Sequence, residues 1–103
     1  MAIKITESNF ESFIESGVAL VDIKTEWCGP CRALSPIIDE LANEYDSVKI
    51  GKLDADEYKD KATALGVRSI PTIIIYKNGV EVEKHIGNAS KDQIKALIDK
   101  HLN

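Results

Sequence analysis

The sequence predicts an α/β domain in which a central mixed β-sheet carries α-helices on both faces, and three observations lead there. The segment VALVDIK (18–24) is a short apolar run of the kind found in strands covered on both faces, and TIIIYK (72–77) is strongly strand-forming. Apolar residues recur with helical spacing at Leu34, Ile37, Ile38, Leu41 and Tyr45, and again at Ile94, Leu97, Ile98 and Leu102. Asn78-Gly79, just after the second segment, is a two-residue hairpin signal. A chain of 103 residues is normally one domain, taken here as 1–103, and can bury a core without a metal or disulfide.

The elements follow in order. Residues 2–5 read as a short strand. Ser8 and Glu11 have the spacing of a capping box, and Phe10, Phe13 and Ile14 then form a helical apolar face ending at Gly17. VALVDIK is the second strand. The helix after the cysteines has Pro36 inside its apolar pattern, which should kink it rather than end it. VKIGKLDAD (48–56) reads as a strand and leads to a short helix towards Leu65. TIIIYK then turns at Asn78-Gly79 into 80–86, and the last helix closes the chain. The order is β-α-β-α-β-α-β-β-α, with parallel pairing first and a hairpin closing the sheet. There is no internal repeat, low-complexity segment or linker.

Composition narrows the function. With 44% hydrophobic and 29% charged residues the chain reads as a soluble globular protein. A net charge of -4, with lysines alternating with acids, argues against nucleic acid or an anionic membrane as main partner. MAIKITES lacks the basic-then-apolar order of a secretory signal, and no apolar run approaches the roughly 20 residues of a membrane span. A cytoplasmic location is expected.

The stretch TEWCGPCRALSP (25–36) holds both cysteines, Cys28 and Cys31, with only Gly29 and Pro30 between them. As a staple the pair is weak: so small a ring contributes about 2 kcal/mol, against roughly 3 kcal/mol for a 15-residue loop. Cytoplasmic proteins also rarely keep structural disulfides. A zinc site needs four ligands, and the other candidates, His85 and His101, follow no ligand spacing and read as solvent-facing. No metal is expected. A redox centre has positive support, because the pair follows an apolar strand and opens a helix. Cys28 then lies at the helix N-terminus, where free N–H groups and the positive dipole end favour a thiolate. A thiol with a pKa of about 8.5 is only slightly ionised at neutral pH, and each unit of depression favours the anion by about 1.4 kcal/mol. Pro30 suits the first helical turn, where its missing N–H has no partner to lose. Cys31, one turn further in, is shielded and can reach back to Cys28.

Asp22 is conspicuous for a different reason. A carboxylate inside a doubly covered strand is rare without a partner or a task. The bland alternative places it in water at the strand's open end.

In VDIKTEWCGPC, in RSIPT (68–72) and in KNG followed by Ile86-Gly87, taken in order along essentially the whole chain, the sequence resembles the thioredoxin family. The resemblance implies the thioredoxin fold and protein-disulfide reductase activity, with Cys28 as attacking thiolate and Cys31 as resolving thiol. It implies no bound cofactor, the redox group being the Cys28–Cys31 disulfide. Asp22 matches the family's buried carboxylate, the base for Cys31, its pKa raised by desolvation. Lys52 matches its charge partner, unless it is a plain strand-end lysine. Pro71 matches a cis-proline that brings the Ile70 backbone beside Cys28, where an extended substrate segment can pair as an added strand. Trp27, Gly29, Pro30, Ile70 and Gly87 would form a small apolar platform around the exposed sulfur. Partners implied are a thioredoxin reductase, NADPH- or ferredoxin-linked, and disulfide-containing proteins such as reductive enzymes and peroxidases. A monomer is expected.

The sequence also departs from the family. Where members commonly have a pattern like DFWA, it has DIKT. Ile23 is a mild core change. Lys24 shares a strand face with Asp22; its ammonium either favours the Cys28 thiolate, or pairs with an acid such as Glu26, or simply reaches water over a packed stem. Ser69 and Asn88 stand where Gly and Ala are more usual, with partner choice the property they would alter. Two rival functions keep the same fold. One is a thiol oxidase or isomerase, against which Gly29-Pro30 speaks, since those relatives usually carry histidine there. The other is a non-catalytic binding module in a larger assembly.

Overall fold

The computed structural model describes residues 2–102. Its elements are β1 (Ile3–Ile5), α1 (Phe10–Ile14), β2 (Val18–Lys24), α2 (Gly29–Glu44), β3 (Val48–Asp54), α3 (Lys59–Ala64), β4 (Thr72–Lys77), β5 (Val80–Ile86) and α4 (Lys91–Asp99). The strands lie in the order β1-β3-β2-β4-β5. β1 and β2 pair with β3 in parallel, whereas β2–β4 and β4–β5 are antiparallel. The expected mixed sheet with a closing hairpin is therefore the observed one.

Strand alternation on β2 builds two apolar layers. Ala19, Val21 and Ile23 pack with Ile5, Phe10, Phe13, Ile14, Leu53, Ile74 and Tyr76 on the α1 side. Val18 and Leu20 pack with Leu34, Ile38, Leu41, Ile50, Ile73 and Ile75, and with Ile94 and Ile98 of α4. Asp22 continues this second series and is directed under α2. β1 lies tight against β3: a Cβ on Gly51 would stand 2.6 Å from Ile5 Cδ1 and 2.8 Å from the Ile3 carbonyl oxygen.

Local details depart from the sequence reading in instructive places. Ser8 and Glu11 form no capping box. Asn9 is the N-cap of α1 but makes no side-chain cap bond. Its Oδ1 accepts from the Thr6 N–H, its Nδ2 donates to the Lys4 carbonyl, and Glu11 pairs with Lys61 at 3.3 Å. The capping box of this chain is at α4: Ser90 Oγ accepts from the Gln93 N–H, and Gln93 Oε1 accepts from the Ser90 N–H. β3 ends at Asp54 rather than at residue 56, because the Asp54 carboxylate takes the N–H groups of Asp56 and Glu57 and turns the chain. Leu102 lies beyond α4 and is exposed. The hairpin forms as expected, with Asn78 and Gly79 at φ 51° and 84°, the left-handed pair such a turn requires. α2 runs through Pro36 without a break.

Candidate active site

Strand direction gathers the candidate residues at one end of the sheet. β2 and β3 finish there, side by side at Lys24 and Asp54, while β4 begins and β5 ends there, with Ile23 opposite Thr72 and Thr72 opposite Ile86. The loop to Cys28, the turn at Pro71 and Gly87 consequently emerge at that same end. The Ile70–Pro71 bond is cis, and the Gly87 N–H donates to the Pro71 carbonyl at 2.8 Å. Ile70 is half-buried and shares a shallow groove with Thr25, Ala55 and Val67, so the proline turn borders the loop before Cys28.

Cys28 is the N-cap of α2, with extended backbone, and Pro30 lies in the first turn. Its Sγ accepts the Cys31 N–H at 3.1 Å, and its carbonyl accepts the Arg32 N–H at 3.0 Å. The two cysteines form a disulfide with Cα atoms 5.1 Å apart. Their environments differ: Cys28 is half-buried, whereas Cys31 is 3% exposed beneath it. Gly29 and Pro30 face water, and Trp27 is 87% exposed, far more than an aromatic with a structural role would be. A hollow of about 50 Å³ between Lys24, Glu26, Ser35 and Arg32 reaches Cys31.

Asp22 is 1% exposed, and neither carboxylate oxygen has a hydrogen-bond partner in the structure. It does not sit in water at a strand end. Desolvation pushes its pKa up from 3.8 to about 7, opposed by the positive charges of Lys52 and then Lys24 and reinforced by Asp39. Lys52 exerts the largest charge attraction on Asp22 without bonding to it. It stands beside Asp22 across the β2–β3 ladder, but its Nζ donates to Ser35 Oγ at 2.6 Å and Asp39 Oδ2 at 3.1 Å. Its attraction for Asp22 acts through space, and the lysine is bound to α2. Ser35 and Asp39 were absent from the candidates drawn from sequence, yet a signal exists: Cys31, Ser35 and Asp39 follow one another at helical i, i+4 spacing on α2. Lys24 takes the acid-pairing option, 2.9 Å from Glu26 Oε1 and 3.8 Å from Asp54 Oδ2.

The histidines are not simply solvent-facing. His85 Nε2 lies 3.0 Å from the Asn88 carbonyl, and His101 is buried for four-fifths of its side chain, 2.7 Å from Glu83 Oε2. Among the described residues, no group of three His, Cys, Asp or Glu side chains could hold a metal ion. None of their helices is long and apolar enough to cross a membrane.

A thiol pair set at a helix N-terminus, one sulfur reachable and the other shielded, at the sheet end that also holds a buried carboxyl group without a hydrogen bond, has the parts for dithiol–disulfide exchange. Known proteins point the same way. The family model described as Thioredoxin matches residues 1–100. A thioredoxin of Staphylococcus epidermidis is 46% identical over 101 residues, covering 97% of each chain. One of Chlamydia pneumoniae is 48% identical over 97 residues, covering 94% of this chain and 95% of its own. Among solved structures, a mutant thioredoxin from Halobacterium salinarum superimposes with a TM-score of 0.91 at 30% identity, covering 99% of this chain and 90% of that one.

Proposed function

The chain belongs to the thioredoxin family, and on that premise we propose how its residues divide the reaction. The protein is a thiol-disulfide oxidoreductase that reduces disulfides in other proteins. The asymmetry of its two sulfurs carries the assignment of roles. Cys28, half-buried at the helix N-terminus with an N–H directed at its sulfur, is the nucleophile. Its thiolate attacks one sulfur of the substrate disulfide; that S–S bond breaks, a mixed disulfide forms, and the released substrate thiolate takes a proton from water. Cys31, which is buried, resolves the mixed disulfide. Its thiol proton passes to Asp22, its sulfur attacks Cys28 Sγ, and the second substrate thiolate leaves. Two electrons reach the substrate, and the Cys28–Cys31 disulfide is the product.

Asp22 suits the base role because a carboxyl group titrating at about 7 is partly ionised at neutral pH and can still hold a proton well. Lys52 keeps it from being more basic still. Trp27, Gly29, Pro30, Ile70 and Gly87, with Pro71 shaping the turn, are the contact surface for an extended substrate segment. The redox group is the cysteine pair, with no bound cofactor. Electrons come from a thioredoxin reductase, NADPH- or ferredoxin-linked, and go to reductive enzymes and peroxidases. The protein works as a cytoplasmic monomer, its 103 residues acting as one domain.

The test is covalent trapping on a disulfide-bonded test protein. Cys31→Ser should accumulate a mixed disulfide through Cys28, and Cys28→Ser should trap none and lose turnover. Trapping through Cys31 in the Cys28→Ser protein, with turnover retained, would reverse the assignment.

A further inference from the structure

The apolar layer beneath α2 ends in charge. Alternation puts Asp22 and Lys24 on the same side of β2 as Val18 and Leu20, and Lys52 and Asp54 on the same side of β3 as Val48 and Ile50. Parallel register then sets Asp22 beside Lys52 and Lys24 beside Asp54. The result is a square of alternating sign at the end of the sheet that holds the cysteines. Its outer members are largely withdrawn from water, the side chains of Lys24 and Asp54 being 21% and 17% exposed. Charges in such a place act on one another over longer distances than they do in bulk solvent.

The two lysines are not equivalent. Lys52 is tied to Ser35 and Asp39 of α2. Lys24 is held from the other side, by Glu26 of the active-site loop and by Asp54. The charges acting on Asp22 are Lys52 on β3, Lys24 on its own strand and Asp39 on α2, while Asp54 on β3 and Glu26 in the loop pair with Lys24. β4 faces Asp22 with Ile73. Lys24 and Glu26 also line the hollow that reaches Cys31.

We propose that Lys24 is a positioning residue for the exchange reaction: acting through Asp22, with its charge partly offset by Glu26, it sets the pH range in which Asp22 takes the proton of Cys31. The inference rests on the reading of Asp22 as that base. The proton leaves Cys31 Sγ for an Asp22 carboxylate oxygen, and the new thiolate attacks Cys28 Sγ. The Cys28–substrate bond breaks, and its electron pair leaves on the substrate sulfur. A positive charge beside Asp22 keeps the carboxylate ionised at lower pH, so the base is available there. Glu26 works in the opposite sense.

The experiment titrates the Asp22 carboxyl in the oxidised protein by carbon-13 NMR, assigned with Asp22→Asn, in wild type and in Lys24→Met, Lys24→Arg and Glu26→Gln. Mixed-disulfide release is timed against pH in the same proteins. Lys24→Met should raise the proton affinity of Asp22 roughly threefold to tenfold, through the loss of one partly screened positive charge beside it. Lys24→Arg should restore it, Glu26→Gln should lower it, and the release profiles should move with the titrations. A change of packing alone would not give opposite signs in Lys24→Met and Glu26→Gln. An unmoved Asp22 titration in Lys24→Met overturns the inference and leaves the base role intact, as does a titration that moves while release does not. If Asp22→Asn releases substrate with the wild-type pH profile, the base role itself fails and the inference falls with it.

Discussion

Replacing Asp22 by asparagine should stabilise the oxidised protein by an amount that grows with pH. In the folded state Asp22 holds its proton up to about pH 7, because the buried carboxylate has lost its hydration and has no hydrogen bond in return. In the unfolded chain the same group ionises near its ordinary 3.8. Between those values the native state binds a proton that the unfolded state has released. Stability therefore falls as pH rises through that window and levels off above it. The displacement from 3.8 to about 7 corresponds to roughly 4 kcal/mol, a large part of the 5–15 kcal/mol that typically holds a domain together. Asparagine has nearly the shape of the protonated acid and does not titrate, so any cost of the buried amide is the same at every pH. Denaturant melts of the two oxidised proteins should differ by a fixed offset near pH 4 and diverge by roughly 4 kcal/mol near pH 8. Parallel stability curves over that range would refute the reasoning, since Asp22 would then have to ionise in the folded protein as easily as in water.

Lys52→Met should raise the Asp22 titration further than Lys24→Met does, because Lys52 exerts the larger attraction; NMR titration of the carboxyl reads the order directly. Gly51→Ala should cost about 1–3 kcal/mol in a thermal or denaturant melt, since the new methyl meets both Ile5 and the backbone of β1. Trp27→Ala should leave stability within about 0.5 kcal/mol, the ring being almost wholly exposed. It should raise KM for protein disulfides while sparing the rate on a small disulfide, and equal losses on both would place the indole in the chemistry rather than in docking.

Much of the site was legible because it is local. Cys28, Gly29, Pro30 and Cys31 are consecutive, and the preference of proline and of an N-cap sulfur for a helix start acts within one turn. Asp22 was legible as an anomaly, a charge in a run that reads as core, and the structure leaves it buried and unpartnered. The partners of the lysines were not legible. Lys52 has Asp22 beside it in the ladder and Asp39 above it, and whether the ammonium swings to one or the other depends on how α2 crosses the sheet. Ser8 and Glu11 carry a capping pattern that lost to Asn9, whose side chain closes the turn after β1 instead.

By itself, the sequence determined the order of the elements, the mixed sheet, the cysteine pair at a helix N-terminus and the family. Those follow from periodicity, turn chemistry and contiguous motifs, which act over a few residues at a time. The tertiary structure alone decided the electrostatics: that Asp22 has no hydrogen bond, that Lys52 is held by α2, and that Lys24 sits between Glu26 and Asp54. The physical reason is that charge interactions depend on distance and dielectric between groups remote in sequence, and both are set only when the helix closes over the sheet.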